Sequence, residues 1–143
     1  DWALNINDPE DWKRSNQSKK ASVLIETNDN EFKHHLDRYK YSKRYDNEDP
    51  IVHREKCLVF IDALEEQLKI SKFLHDEKVS ALDISILPFI RQFRIADIDW
   101  FDSLNKPKIQ SWLMNFLESE LFKGIMFKYE KWEESDEKVF FPN

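Results

Sequence analysis

The sequence predicts an all-α fold, and three observations carry the prediction. Apolar residues recur at spacings of three and four, and nothing alternates with period two over a useful length. One glycine occurs in 143 residues, where an average usage of about 7% would give roughly ten. Architectures whose turns need positive φ are disfavoured as a result: Rossmann sheets, P-loops and small barrels. Helix-start signals are explicit at Asp49-Pro50 and at Ser80-Ala81-Leu82-Asp83. The length suits one compact domain, and the 41% hydrophobic content is enough for a core without disulfide or metal.

Residues 1–16 read as a helix end and a connector, with Trp2, Ala3 and Leu4 apolar and Asn7-Asp8-Pro9 supplying turn chemistry. Two short helices follow, over about 17–28 with Ala21, Leu24 and Ile25 on one face, and over about 30–40 with Phe32, Leu36 and Tyr39. Asn28-Asp29-Asn30 is expected to separate them. Asp49-Pro50 pairs an N-cap acceptor with the residue that loses nothing at the first helical position, and starts a helix reaching about Lys72. Cys57, Ile61, Leu64 and Leu68, widened by Leu58 and Phe60, commit one side of it to a core, leaving Glu65, Glu66 and Lys69 to face water.

Ser80 and Asp83 have the spacing of a capping box, with Val79 and Ile84 placed for a hydrophobic staple. Beyond them Ile84, Ile86, Leu87, Phe89 and Ile90 leave scarcely any polar face, so this helix is expected to be central and surrounded by the others, bent at Pro88. Lys106-Pro107 starts another helix, carrying Ile109, Trp112, Leu113, Phe116 and Leu117. Ser119 is placed to cap a last one through Phe122, Ile125, Met126 and Tyr129, with Gly124 inside it.

Several function classes are disfavoured by the residues themselves. A net charge of −6 opposes binding to phosphate backbones, although Lys33, Arg38, Lys40, Lys43 and Arg44 interleave with Tyr39, Tyr41 and Tyr45 in a pattern superficially like a single-strand surface. Cys57 is the one cysteine, which excludes an intrachain disulfide and a thiolate cage and suits a reducing cytoplasm. On the apolar stripe it reads as a small hydrophobe. His34-His35-Leu36-Asp37, with His53 and His75 far along the chain, is a weak metal pattern, because adjacent histidines diverge by about 100° on a helix. His34 is expected to be exposed and His35 to pack on Tyr39. No apolar run approaches the ~18 residues of a membrane span. No catalytic constellation is evident.

The segment Ser80-Ala81-Leu82-Asp83-Ile84-Ser85-Ile86-Leu87-Pro88-Phe89-Ile90-Arg91-Gln92-Phe93 closely resembles the central helix of the C-terminal domain of cytosolic glutathione S-transferases. Asp99-Trp100-Phe101, Trp112-Leu113 with Phe116, Ser119 and Phe122, and Ile125-Met126 with Lys128-Tyr129 and Trp132 are similar to the closing helices of a bacterial branch of that family. Upstream, Phe32-Lys33-His34-His35-Leu36-Asp37-Arg38-Tyr39-Lys40-Tyr41 resembles the stretch before its long second helix.

The resemblance implies a glutathione S-transferase C-terminal-type bundle over 17–143, preceded over 1–16 by the end of an N-terminal-domain helix and an interdomain linker. It also implies a division of labour. Glutathione, the co-substrate of the implied full-length protein, would be held and activated by an N-terminal thioredoxin-like domain whose motifs do not occur here. These residues would provide the wall for a hydrophobic small molecule and contacts for a homodimer. By the same analogy Arg38, Tyr39, Tyr41 and Phe89 are the candidate substrate-binding residues, while Ser80 and Asp83 are structural. A second reading is a stand-alone helical assembly module of the same fold, and a third is a carrier of hydrophobic ligands.

Overall fold

A computed structural model describes residues 2–126 together with Lys128, Lys131, Glu133 and Glu134, and among them every regular element is helical. The helices are α1 (Trp2–Ile6), α2 (Lys19–Thr27), α3 (Lys33–Lys40), α4 (Pro50–Ile70), α5 (Ala81–Ala96), α6 (Ile98–Ser103), α7 (Pro107–Leu117) and α8 (Glu120–Ile125). Short 3-10 turns stand at Trp12–Gln17 and Ser42–Arg44. The all-α expectation therefore holds for the described residues. Among the described residues tight turning is done without glycine: the left-handed positions fall on Asp11 (φ 54°) and Asn47 (φ 66°), residue types whose short polar side chains tolerate that region. Gly124 has nothing within 4 Å of where a Cβ would stand, so no close approach requires it.

Chain contacts divide the protein into Asp1–Leu113 and Met114–Asn143. In the second unit Ser119 accepts a hydrogen bond from the Phe122 N–H at 3.1 Å and starts α8, which ends at Ile125. Tyr129 and Trp132 lie outside the described residues.

The first unit departs from expectation at Asn28-Asp29-Asn30. These residues do not separate two helices. Asn28–Phe32 forms a π-helical turn that carries α2 directly into α3, with Thr27, Asn28, Phe32 and Lys33 all in right-handed helical geometry. The local turn preference of Asn and Asp is overridden because Ala21, Asn28, Phe32 and Leu36 are all buried, and the wider turn keeps them on one face. Ahead of this rod, the Trp12–Gln17 turn docks on the approach to α5. Arg14 grips Asp76 through two nitrogens (2.8 and 2.9 Å) and donates to the carbonyls of Lys78 and Val79. The Arg14 hydrogen bond holds the Asp76 carboxyl well below the usual carboxylate range.

Helix α4 begins as expected, Asp49 accepting from the Ile51 N–H at 2.8 Å, and buries Cys57, Phe60, Ile61, Leu64 and Leu68. Glu65 corrects the expected water-facing set. It is 2% exposed, and its two oxygens accept from the backbone N–H groups of Lys108 (3.2 Å) and Ile109 (2.8 Å). Helix α7 starts at Pro107, and Lys106 before it has no acceptor side chain, so α4 supplies one. Glu66 stays exposed and pairs with Lys69 at 2.5 Å. Glu65→Ala is expected to cost about 2 kcal/mol and Glu66→Ala close to nothing. Thermal melts of the two variants check this, and equal midpoints would show that the buried carboxylate does not hold α7.

Helix α5 is central but not surrounded. Leu82, Asp83, Ile86, Leu87, Ile90 and Phe93 are buried, whereas Ser85 and Pro88 are exposed and Ile84, Phe89 and Gln92 half-buried. The open strip follows the residues least suited to a core, for Ser85 returns its hydroxyl to the Ala81 carbonyl at 2.7 Å and Pro88 cannot donate to the Ile84 carbonyl. At its start Asp83 Oδ2 accepts from the Ser80 N–H (3.0 Å) and hydroxyl (2.8 Å), while Oδ1 accepts from the Leu74 N–H (2.9 Å) and Trp112 Nε1 (3.1 Å). One carboxylate thus ties together the entering loop, the helix start and α7. Phe93, fully buried, has the rings of Phe32, Tyr39, Trp100 and Phe101 within 5.6–6.0 Å of its own.

Candidate functional site

The strip left open on α5 forms one wall of a cleft of about 290 Å³ whose other wall is α3. Helical spacing sets its shape. Lys33, Leu36, Asp37 and Lys40 project from one face of α3 at intervals of three and one, Tyr41 closes its end, and Phe89 and Gln92 face them from α5. Leu36 is buried, Tyr41 is partly exposed and Phe89 half-buried. The polar groups stand at the mouth. Lys40 Nζ donates to Gln92 Oε1 at 3.0 Å and lies 4.8 Å from the Tyr41 ring centre. Lys33 Nζ lies 4.7 Å from the Phe89 ring centre. The Asp37 carboxylate receives the Tyr45 hydroxyl.

Of the four residues nominated from the resemblance, Tyr41 and Phe89 line this cleft. Arg38 turns the other way: its Nε is 2.9 Å from Glu48, a second nitrogen is 3.1 Å from His34 Nδ1, and its guanidinium covers the Tyr45 ring. Tyr39 leans on Phe93 at the edge of the core, where burial raises its phenol above the ordinary tyrosine range. Ser80 and Asp83 are fully buried away from the cleft, in the network described above. The basic and aromatic interleaving of residues 33–45 was the signal for Lys33 and Lys40. Gln92 gave none, because a half-buried polar residue on an apolar helix reads as surface.

A second arrangement joins residues far apart in sequence. His35 Nδ1 and His53 Nδ1 are 2.8 Å apart, and His53 Nε2 and Arg38 Nε each lie 2.9 Å from Glu48 Oε2. His35 was expected to pack on Tyr39; its hydrogen-bond partner is His53. With His53 donating Nε2–H to Glu48, the shared bond is supplied by His35 Nδ1–H while both rings are neutral. Among the described residues no group of three or more His, Cys, Asp or Glu side chains is arranged to hold a metal ion. Cys57 is fully buried, and that burial pushes its thiol up to about 12, so it is protonated and inert at neutral pH.

His35 sets a pH dependence. The His35 pKa is lowered, first by burial and then by the positive field of His34, Lys56, His53 and Arg38. The unfolded chain therefore binds more protons than the folded one as pH falls through the ordinary histidine range, about 6.5, so stability falls on acidification from about 7.5 downward. The melting midpoint of the protein is expected to drop with it, and the drop to be smaller in His35→Asn. Parallel curves for the two would remove His35 as the cause.

No protein-family model matches this chain, and comparisons with the curated proteins and with the solved structures gave no match. Among the described residues no helix is long and apolar enough to cross a membrane.

Proposed function

We propose that this chain is the helical C-terminal part of a glutathione S-transferase-like protein and that the α3–α5 cleft is its wall for a hydrophobic co-substrate. Glutathione is held and activated by a thioredoxin-like domain, which supplies the catalytic chemistry, and the protein works in the reducing cytoplasm. The observation that carries the reading is the convergence of Tyr41 and Phe89, nominated by resemblance from distant parts of the sequence, on one cleft with an apolar floor. The central position of α5 and the buried Asp83 network at its start also support it.

The homodimer contact in this reading falls on the outward face of α4, where Val52, Val59 and Ile70 are 48%, 72% and 75% exposed. That apolar stripe equally favours the second reading, an assembly module without chemistry. Two titrations test the assignment. The chain should bind the neutral dye N-phenyl-1-naphthylamine, more weakly as Phe89→Ala, and calorimetry should show no binding of glutathione. Millimolar or tighter glutathione affinity in this chain would overturn the division of labour, and dye affinity unaffected by Phe89→Ala would overturn the cleft.

A further inference from the structure

We propose that the groove between α2 and α4 is a binding site, separate from the α3–α5 cleft, for a small uncharged aromatic molecule bearing one hydroxyl, which donates its hydrogen to His35 Nε2.

The groove has a volume of about 340 Å³, the size of a small-ligand site. Its walls are apolar. Val23 and Leu24 come from α2, Phe32 from the π-helical turn, and Phe60 and Ala63 from α4, with Val59 on the rim that the groove shares with the exposed stripe of that helix. The charged residues of the lining are one of each sign, Glu31 and Lys56, so no net charge selects an ion.

His35 belongs to this lining and His53 does not. The nitrogen of His35 that meets His53 is Nδ1, 2.8 Å from His53 Nδ1, and Nε2 stands on the other side of the ring. The edge turned to the groove is therefore that of Nε2. Among the described residues Nε2 has no hydrogen-bond partner.

The neighbours also decide where the hydrogen sits. A carboxylate only accepts, so His53 gives its Nε2–H to Glu48 Oε2 at 2.9 Å. While the rings are uncharged, His53 Nδ1 is then bare, and the hydrogen between the rings comes from His35 Nδ1. His35 Nε2 is left with a lone pair and no hydrogen. Burial and the positive field of His34, Lys56, His53 and Arg38 oppose its protonation. The chain Glu48, His53, His35 thus delivers a hydrogen-bond acceptor to an apolar groove.

The ligand class follows. A molecule that fills the groove without a donor strips water from Nε2 and returns nothing, whereas a hydroxyl replaces the lost bond. A phenolic hydroxyl donates more strongly than an aliphatic one, and its ring packs on Phe32, Phe60 and the valines. An ammonium is opposed by Lys56; a carboxylate has no hydrogen to donate at neutral pH and meets Glu31.

A matched pair of probes tests this. 2-Naphthol and 2-fluoronaphthalene share their rings and nearly their shape, and the fluorine cannot donate. In NMR titrations of the whole chain near neutral pH, 2-naphthol is expected to bind roughly five- to tenfold more tightly. It should shift the methyl resonances of Val23 and Ala63, in the wild type and in Phe89→Ala alike. Glu48→Ala alters no lining residue and is expected to lower the preference, because His53 can then carry its hydrogen on Nδ1. His35→Phe is expected to remove the preference, with the affinity for 2-fluoronaphthalene unchanged in both variants. Ring nitrogen-15 shifts give a readout that needs no variant: His35 Nε2 should resonate as a hydrogen-free nitrogen and Nδ1 as an N–H, so the test stands even where His35→Phe fails to fold. The reverse assignment, equal affinities for the two probes, or a preference that survives either substitution would overturn the proposal. Naphthol shifts that vanish in Phe89→Ala would place the ligand in the α3–α5 cleft and overturn it as well, leaving the cleft assignment standing.

Discussion

Asp83→Ala is expected to destabilise the first unit by about 3–5 kcal/mol, far beyond the loss from an ordinary cap. The carboxylate accepts from four donors, the backbone N–H groups of Leu74 and Ser80, the Ser80 hydroxyl and Trp112 Nε1, and neither Asp83 nor Ser80 has any exposed surface. Alanine leaves all four donors without an acceptor in a place water does not reach, and each orphan costs about 1–3 kcal/mol before relaxation. Ser80→Ala removes one hydroxyl, which also accepts from the Asp83 backbone N–H, and leaves the carboxylate's other three bonds intact, so it should cost about 1 kcal/mol or somewhat more. Asp83→Asn places an amide nitrogen toward donors and should fall between the two. Urea denaturation checks the order, through midpoints compared at unchanged slope. An Asp83→Ala loss no larger than that of Ser80→Ala would show that the bonds from Leu74 and Trp112 contribute nothing.

How much of this was readable beforehand depends on whether the cause of a feature is local. The stripe Cys57, Ile61, Leu64 and Leu68 announced itself because four residues on one helix face share one fate, and all are buried. The starts at Asp49, Ser80 and Ser119 were legible because a cap is built within one turn. Glu65 was not legible. Beside Glu66 it looks like half of a solvated pair, and only the N-terminus of α7, distant in sequence, gives it a reason to be buried. Asn28-Asp29-Asn30 misled for a related reason: its turn chemistry is real, but burial of Phe32 and Leu36 on either side of it decides the backbone. The cleft was half legible. Its cations and tyrosines stand together in the sequence, whereas the wall opposite comes from α5 and depends on packing. The turn of Arg38 toward Glu48 and of His35 toward His53 follows from the approach of α3 to the start of α4, which no short window contains.

Phe93→Ala is expected to cost about 4 kcal/mol. The ring is completely buried where α5 meets its neighbours, with Phe32 at 5.6 Å in the π-turn, Tyr39 at 5.7 Å in α3, and Trp100 and Phe101 at 5.8 and 6.0 Å in α6. All four pairs are edge-on or near it, the arrangement the ring quadrupole favours, and such pairs contribute beyond the area they bury. Truncation removes the shared partner of four rings at once. The rings sit on different elements tied down elsewhere, so the space is not easily refilled, and the cavity term adds to the lost transfer energy. Phe93→Leu keeps most of the volume without the edge contacts and should cost about 1–2 kcal/mol. Near-ultraviolet circular dichroism gives a readout independent of stability: the Trp100 signal should change in both variants while the far-ultraviolet helix signal does not. The cluster also reaches the cleft, because Tyr39 lies on α3 next to Lys40 and Tyr41. In the folded Phe93→Leu protein, neutral-dye affinity should therefore fall by a fewfold without any change to a lining residue. Stability within about 1 kcal/mol of wild type in Phe93→Ala would place the centre of the core elsewhere, and unaltered dye binding in Phe93→Leu would uncouple the core from the cleft.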